Sequence, residues 1–296
     1  MKQHTHDKGY RDLFSNVAML RQLLESFINE SWVKDIDFSR ASLFNTTVIS
    51  PMYQKTESDV IWRLPLKTGQ EVFVYLLLEF QSTVDKFMAF RMLQYVIQLY
   101  HSLKKQQPGL LKLPPVFPIV LYNGEQAWTA PTQFAELIYP PISGSYIPRF
   151  EYFKIAENEF KREELMRFKN LVGALFLLET SSTEDYPSTI QEVVGILERQ
   201  DPELCKEFTR WLWHTFSQNP PSELDDLQNI KEVSTMLQAE LQREREAVYH
   251  KGKLDGKQEG KKEGKKETAS KLKARGMALQ EIAEVTGLSI ETIKSL

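Results

Sequence analysis

Apolar residues recur at spacings of three and four from Tyr10 to Ile28 (Leu13, Phe14, Val17, Leu20, Leu23, Leu24, Phe27), a period that predicts one amphipathic helix. The period then shortens. Ala41 to Ile49, rich in Thr, Val and Phe and stopped by Ser50-Pro51, predicts a strand. Asp59 to Leu66 (DVIWRLPL) and Glu71 to Phe80 predict two stronger strands, and the link Lys67-Thr68-Gly69-Gln70 supplies the glycine that a tight hairpin turn requires. From Asp85 the helical period returns at Phe87, Phe90, Met92, Leu93, Val96, Ile97, Tyr100 and Leu103, and it ends near Gln107-Pro108-Gly109. Val116 to Tyr122 is a short, fully apolar run between Pro114-Pro115 and Asn123-Gly124, the pattern of a strand covered on both faces. The predicted order is αβββαβ, an α/β arrangement.

A short strand is predicted at Glu151 to Ile155, and beyond it the chain turns helical. Arg162 to Leu178, Tyr186 to Arg199, Pro202 to Phe216 and Leu224 to His250 each show apolar spacing near 3.6, with Trp211 and Trp213 packing the bundle. From Lys251 the run KGKLDGKQEGKKEGKKE places glycine at every fourth position. Each glycine costs a helix about 1 kcal/mol relative to alanine. The run therefore reads as a flexible charged linker or as a helix with a glycine stripe, and the Glu–Lys pairs at spacing four favour the helix. The last stretch, ALQEIAEVTGLSIETIKSL, has the form of a helix-turn-helix: Leu279, Ile282 and Ala283 on one helix, Gly287 at its end, and Ser289 capping a second with Ile290 and Ile293 inward. Its short second helix, with Glu291 beside Lys294, suits packing or self-association better than base reading, although DNA contact stays open. The expected division is a core at 1–160, a helical extension at 161–250, the glycine-repeat segment at 251–268 and a small helical piece at 269–296.

Composition sets outer bounds. A chain of 296 residues with 42% hydrophobic and 26% charged residues can bury a sizeable core. No apolar run approaches the roughly 18 residues of a membrane span, and the polar start predicts no secretory signal, so a cytoplasmic protein is expected. The single cysteine, Cys205, agrees with a reducing compartment and reads as a buried, inert thiol. Net charge is −3, yet Lys251 to Arg275 holds ten Lys/Arg against four Asp/Glu. That segment could approach phosphates or simply form a solvated charged face.

The candidate chemistry lies in VFVYLLLEFQST, residues 72–83, where a strand fit for a dry interior ends in Glu79, Phe80 and Gln81. An ionised carboxylate buried without a partner costs several kcal/mol, so Glu79 calls for a cation or a network. If the hairpin bends near Thr68, Asp59 falls roughly opposite Leu78 or Glu79, and both carboxylates reach the same end of the same two strands. The period of two puts Gln81 on the face of Glu79. Two acids there could share Mg²⁺, which accepts one or two carboxylates and keeps sites for a phosphate oxygen. Phosphodiester hydrolysis follows as the natural chemistry, and a surface hairpin with two unrelated acids is the bland alternative.

Resemblance tips that balance. Asp59, nineteen intervening residues and then Glu79-Phe80-Gln81, set in an αβββαβ order, resemble the PD-(D/E)xK nuclease core with Gln in place of Lys. More narrowly, HDKGYRDLFS, ESDVIWRL, VYLLLEFQST, FRMLQY and LPPVFPIVLYNG, in that order over the first 125 residues, resemble the Rpn family of recombination-promoting nucleases. The resemblance implies a metal-dependent DNA endonuclease using Mg²⁺ or Mn²⁺, with Asp59 and Glu79 as metal ligands, the Phe80 carbonyl as a further one, and Gln81 where lysine usually stands. It also implies DNA as a partner, and tails of this Gly-Lys-Glu kind occur in the family. A glutamine offers only neutral hydrogen bonds where an ammonium would stabilise developing charge, so weaker catalysis is expected. The chain departs from its relatives after the fifth strand, where Ala156 precedes Glu157 and leaves that acid without an assigned role.

Accessory candidates are Asp7, beside His6, which could reach the cleft or cap the first helix, and Arg91 and Gln94, which could contact phosphates or line an exposed helix face. The other histidines show no ligand spacing, and no phosphate-binding loop, dinucleotide fingerprint or nucleophile elbow is present. Two further classes remain as alternatives: a catalytically weak, nuclease-derived DNA-binding or assembly protein, and a factor that contacts only proteins. Self-association through the helical or C-terminal region is expected in either nuclease-related case.

Overall fold

A computed structural model describes residues 9–44, 59–79, 84–140, 145–182, 185–197, 199–216 and 263–295, with positions 235, 239 and 243. The chain divides into two compact units, Met1–Leu237 and Gln238–Leu296.

In the first unit the predicted opening helix is two helices, α1 over residues 9–14 and α2 at Val17–Phe27. The break comes from Asn16, which leaves helical geometry and accepts a hydrogen bond from the Ala18 N–H through its side chain, capping α2. Apolar spacing continues through the break, which is why the pattern reads as one helix. Among the described residues five strands follow: β1 at Ser42–Leu43, β2 at Asp59–Pro65, β3 at Glu71–Glu79, β4 at Val116–Tyr122 and β5 at Phe153–Ala156. They pair in chain order, with β1–β2 and β2–β3 antiparallel and β3–β4 and β4–β5 parallel. Gly69, at φ 86°, makes the β2–β3 turn at a conformation that side chains resist. The remainder of the expected Ala41–Ile49 strand lies outside the described residues.

Central β3 is buried along nearly its whole length because both faces are covered. Helix α3, Met88–Gln106, lies on one face, where Met88, Ala89, Met92, Leu99 and Leu103 join Ile61, Phe73, Tyr75, Leu77, Val120 and Tyr122 in one apolar cluster. On the opposite face Trp62 donates its indole N–H to the Phe14 carbonyl of α1 at 2.9 Å. The predicted Arg162–Leu178 helix is also two, α4 at Arg162–Phe168 and α5 at Leu171–Thr180, separated where Lys169 adopts a left-handed conformation (φ 48°) and Asn170 caps α5. Leu171 to Leu178 is buried at every position, so α5 is a helix enclosed on all sides. Helices α6, Tyr186–Leu197, and α7, Pro202–Phe216, follow. Helix α7 closes back on the chain start: the Trp211 ring lies 6.0 Å from Tyr10, and the Asn16 amide donates to Glu207 at 2.7 Å. Gly9 is required there, since a Cβ would sit 2.7 Å from Trp211. Cys205 is buried, with burial raising its thiol pKa, as an inert cysteine should be.

In the second unit, residues 263–295 form α8 over residues 263–274, α9 at Leu279–Thr286 and α10 at Ile290–Ser295, packed on Ala269, Ile282 and Ile293. Gly287 ends α9 at φ 68°, and the Ser289 hydroxyl accepts from the Thr292 N–H, as the helix-turn-helix reading expects. Ile290, expected inward, is 38% exposed. Most of the predicted Leu224–His250 helix and of the glycine repeat lies outside the described residues.

Candidate active site at the strand ends

β2 begins at Asp59 and β3 ends at Glu79, and both side chains are buried, 6% and 4% exposed. Asp59 pairs with Leu77, one or two positions from the expected partner. The difference matters, because a one-residue slip exchanges the faces of a strand. With Leu77 opposite Asp59, Glu79 is the diagonal neighbour on the same face, with Cβ atoms about 7–8 Å apart or less. The sheet thus brings the two acids together on the side covered by α3.

Each acid has a partner. The Tyr75 hydroxyl donates to Asp59 Oδ2 at 2.7 Å, and its ring stacks on Tyr95 of α3 with centroids 5.7 Å apart and planes within 4°. Burial, then the charge and hydrogen bond of Asp59, push the Tyr75 pKa well up, so the phenol stays protonated and keeps donating. Glu79 pairs with the Arg91 guanidinium of α3, which also reaches Asp85 Oδ2 at 3.3 Å. Burial disfavours the Arg91 cation, but Glu79 first, with Tyr95 and Asp85, more than offsets this and raises its pKa. Asp85 serves twice, since Oδ1 also accepts from the Phe87 N–H at 2.9 Å at the start of α3. Arg91, read from sequence as a phosphate contact or an exposed position, is therefore the cation that Glu79 requires. Gln94 is half-buried on the same helix. Asp7, Phe80 and Gln81 lie outside the described residues.

The same sheet edge carries a second cluster on its other face. The Asn123 N–H donates to the Glu79 carbonyl at 3.2 Å, tying the end of β4 to the end of β3. The Asn123 amide donates to the Tyr10 hydroxyl at 2.9 Å and to Glu157 Oε2 at 3.3 Å, and Tyr10 donates to Glu157 Oε1 at 2.9 Å. Glu157 is 1% exposed. Burial first and the charge of Glu179 second hold its carboxyl well above the ordinary range, against the lowering effect of the Tyr10 hydrogen bond. This cluster was missed in the sequence because Tyr10 reads as a helix core position and Asn123 as a turn. The available signal was that Asn123 and Glu157 each follow directly on an apolar strand. Glu157 and Glu179 line a cavity of about 670 Å³ with Asn158, Arg162 and Asp185.

Two acids with hard oxygen donors on one face suit Mg²⁺, which needs only one or two carboxylates and otherwise keeps water. Among the described residues no group of three or more His, Cys, Asp or Glu gathers as a metal cage. A mixed α/β protein with buried carboxylates at the strand ends of a five-stranded sheet is the class that fold and site define.

The model of the family described as "Putative transposase, YhgA-like" matches residues 4–205, and the chain belongs to that family. Among curated relatives it is 28% identical over 120 residues to the "Inactive recombination-promoting nuclease-like protein RpnE" of Escherichia coli K12, covering 40% of this chain and 39% of that protein. It is 32% identical over 88 residues to "Recombination-promoting nuclease RpnA" of the same strain, 30% of this chain and 29% of RpnA. To "Recombination-promoting nuclease RpnD" of Escherichia coli O157:H7 it is 24% identical over 125 residues, 41% of this chain and 46% of RpnD. The chain thus spans less than half the length of each of these relatives. No solved structure matches it. No helix among the described residues is long and apolar enough to cross a membrane.

Proposed function

We propose that the chain is a metal-dependent DNA endonuclease of the PD-(D/E)xK type, acting in the cytoplasm in recombination or mobile-element movement. The observation that carries this reading is the placement of Asp59 and Glu79 on one face at one end of the β2–β3 hairpin. Names of relatives that refer to recombination-promoting nucleases support it. In this reading Asp59 and Glu79 hold Mg²⁺ or Mn²⁺, the Phe80 carbonyl is a further ligand, and Gln81 orients the attacking water by neutral hydrogen bonds. The ion's contribution, when bound, is to polarise the phosphoryl group and acidify water. Tyr75 fixes the Asp59 carboxylate through its 2.7 Å hydrogen bond. Arg91 neutralises Glu79 and lies within reach of a phosphate brought to the same carboxylate. Gln94 and Asp7 are accessory positions, and the helical or C-terminal region mediates self-association.

Plasmid DNA incubated with purified protein and Mg²⁺ or Mn²⁺, beside Asp59→Ala and Glu79→Ala, tests the assignment. Cleavage by the wild type, abolished in both variants while salt-dependent DNA binding persists, is expected. Equal cleavage by all three rejects it. A second reading, a nuclease-derived DNA-binding protein without useful turnover, is favoured by the Arg91–Glu79 pair, which satisfies the carboxylate with no metal, and by a relative named inactive. Binding without cleavage in the wild type would select it.

A further inference from the structure

Tyr122 closes β4 and is the register partner of Glu79, so the two side chains leave neighbouring strands, about 4.8 Å apart, on the same face of the sheet. That face is the one α3 covers, where Tyr122 joins Tyr75, Leu77 and Met92 in the apolar cluster. The Tyr122 ring meets Trp128 edge-on with centroids 4.9 Å apart, and its hydroxyl lies so close to Gly124 that no side chain fits at that position. The phenol is thus held beside the chain that leaves β4. Its hydroxyl is buried, yet no acceptor for its proton lies in hydrogen-bond range among the described residues. Burial, then the charge of Glu79, raise its pKa against the lowering effect of the Gln126 backbone, so the phenol stays protonated and able to donate. A second donor at Glu79 is in the same condition. Arg91 Nε is buried with no acceptor in range among the described residues, while the terminal nitrogens of that guanidinium pair with Glu79 and Asp85.

Buried polar groups are nearly always matched, so two unmatched donors at one carboxylate, one from α3 and one from β4, call for an incoming acceptor. Burial bars Tyr122 no more than it bars the acids: it is 0% exposed, against 4% for Glu79 and 6% for Asp59. Arginine and tyrosine both donate to phosphate oxygens in nucleic-acid complexes, and a phosphodiester carries two non-bridging oxygens, one for each donor. Resting on the nuclease reading, we propose that Tyr122 is a further substrate-binding residue of the site, its hydroxyl donating to a non-bridging oxygen of the DNA phosphate that Arg91 also contacts.

Tyr122→Phe keeps the ring and its packing on Trp128 and removes only the hydroxyl. Two measurements on it test the proposal without reference to catalysis. In urea unfolding of the DNA-free protein its midpoint should equal or exceed that of the wild type, because the hydroxyl lost had no acceptor to satisfy. Affinity for a labelled DNA duplex, read in Ca²⁺ before any cut product forms, should fall about two- to tenfold, the range of one neutral hydrogen bond. A lowered midpoint would show that the hydroxyl already has a partner in the free protein and would overturn the proposal. Unchanged affinity in a variant of full stability would overturn it as well. Cleavage in Mg²⁺, with Asp59→Ala alongside, separates the two ideas. Weakened binding by Tyr122→Phe when the wild type never cuts sinks the endonuclease reading and leaves the phosphate donor standing. Cleavage abolished in Asp59→Ala but matched to wild type in a Tyr122→Phe protein of unchanged affinity sinks the donor alone.

Discussion

Arg91→Met keeps the aliphatic stem of the side chain and removes its charge, so it isolates the electrostatic part of the Glu79 pair. Glu79 is 4% exposed and Arg91 22%, a nearly buried carboxylate facing a partly buried cation. Two unit charges about 4 Å apart attract by about 4 kcal/mol at an effective dielectric near 20, and the cost of desolvating the guanidinium offsets part of this. The second arm, to Asp85, adds less than about 1 kcal/mol because that acid is 30% exposed. A net loss of about 2–3 kcal/mol is therefore expected in metal-free buffer, read as a lower urea midpoint at unchanged slope. Mg²⁺ should then act unequally. At about ten times its dissociation constant it contributes about 1.4 kcal/mol, and the gain should be larger in Arg91→Met, where no resident cation competes for Glu79. Adding Glu79→Gln should recover stability and abolish the Mg²⁺ effect, since a neutral amide needs no counter-charge. A variant within about 0.5 kcal/mol of wild type, or equal Mg²⁺ stabilisation of both proteins, would refute the reasoning.

Tyr75→Phe removes the hydroxyl that donates to Asp59 and should cost about 1.5–3 kcal/mol, the range for hydrogen bonds to charged groups, in the same unfolding assay. Because Glu157 keeps its proton above the ordinary carboxylate range, the folded chain holds a proton that the unfolded chain releases above about pH 4.5, so stability falls as pH rises from there toward the folded-state value. Glu157→Gln, which imitates the protonated form, should flatten that slope and raise the melting temperature on its high-pH side. A Cβ at position 124 would lie 2.1 Å from the Tyr122 hydroxyl, so Gly124→Ala should destabilise by about 1–3 kcal/mol in thermal melts.

How far the sequence revealed the molecule depends on the range of the interactions involved. β4 and α7 appear at their predicted bounds, Val116–Tyr122 and Pro202–Phe216, because Pro, Gly and Asn punctuate them locally. The hairpin was legible from Gly69, but its register was not, since Leu77 faces Asp59 through a turn closed by the Leu66 N–H bonded to the Gln70 carbonyl. Helix breaks at Asn16 and Lys169 left the apolar spacing intact and so stayed invisible. The carboxylate pair could be inferred because Asp59 opens β2 and Glu79 closes β3, which a hairpin brings to one end, whereas their shared face depends on the register. Arg91 could not be assigned to Glu79, since helix periodicity says nothing about which strand residue lies beneath it. The Tyr10–Asn123–Glu157 cluster was least accessible, assembled from three segments whose separation no local pattern spans.

The contact between the two extremes of the first unit bears on synthesis. Tyr10 meets Glu157, 147 positions later, and finds its Trp211 neighbour only near the end of α7. At translation rates of about 5–20 residues per second, the first helix waits roughly 10–40 s for that indole to emerge from the ribosome. Until then the polar anchor behind Glu79 has an open side, and a nascent chain carries its acidic pair on an unfinished support.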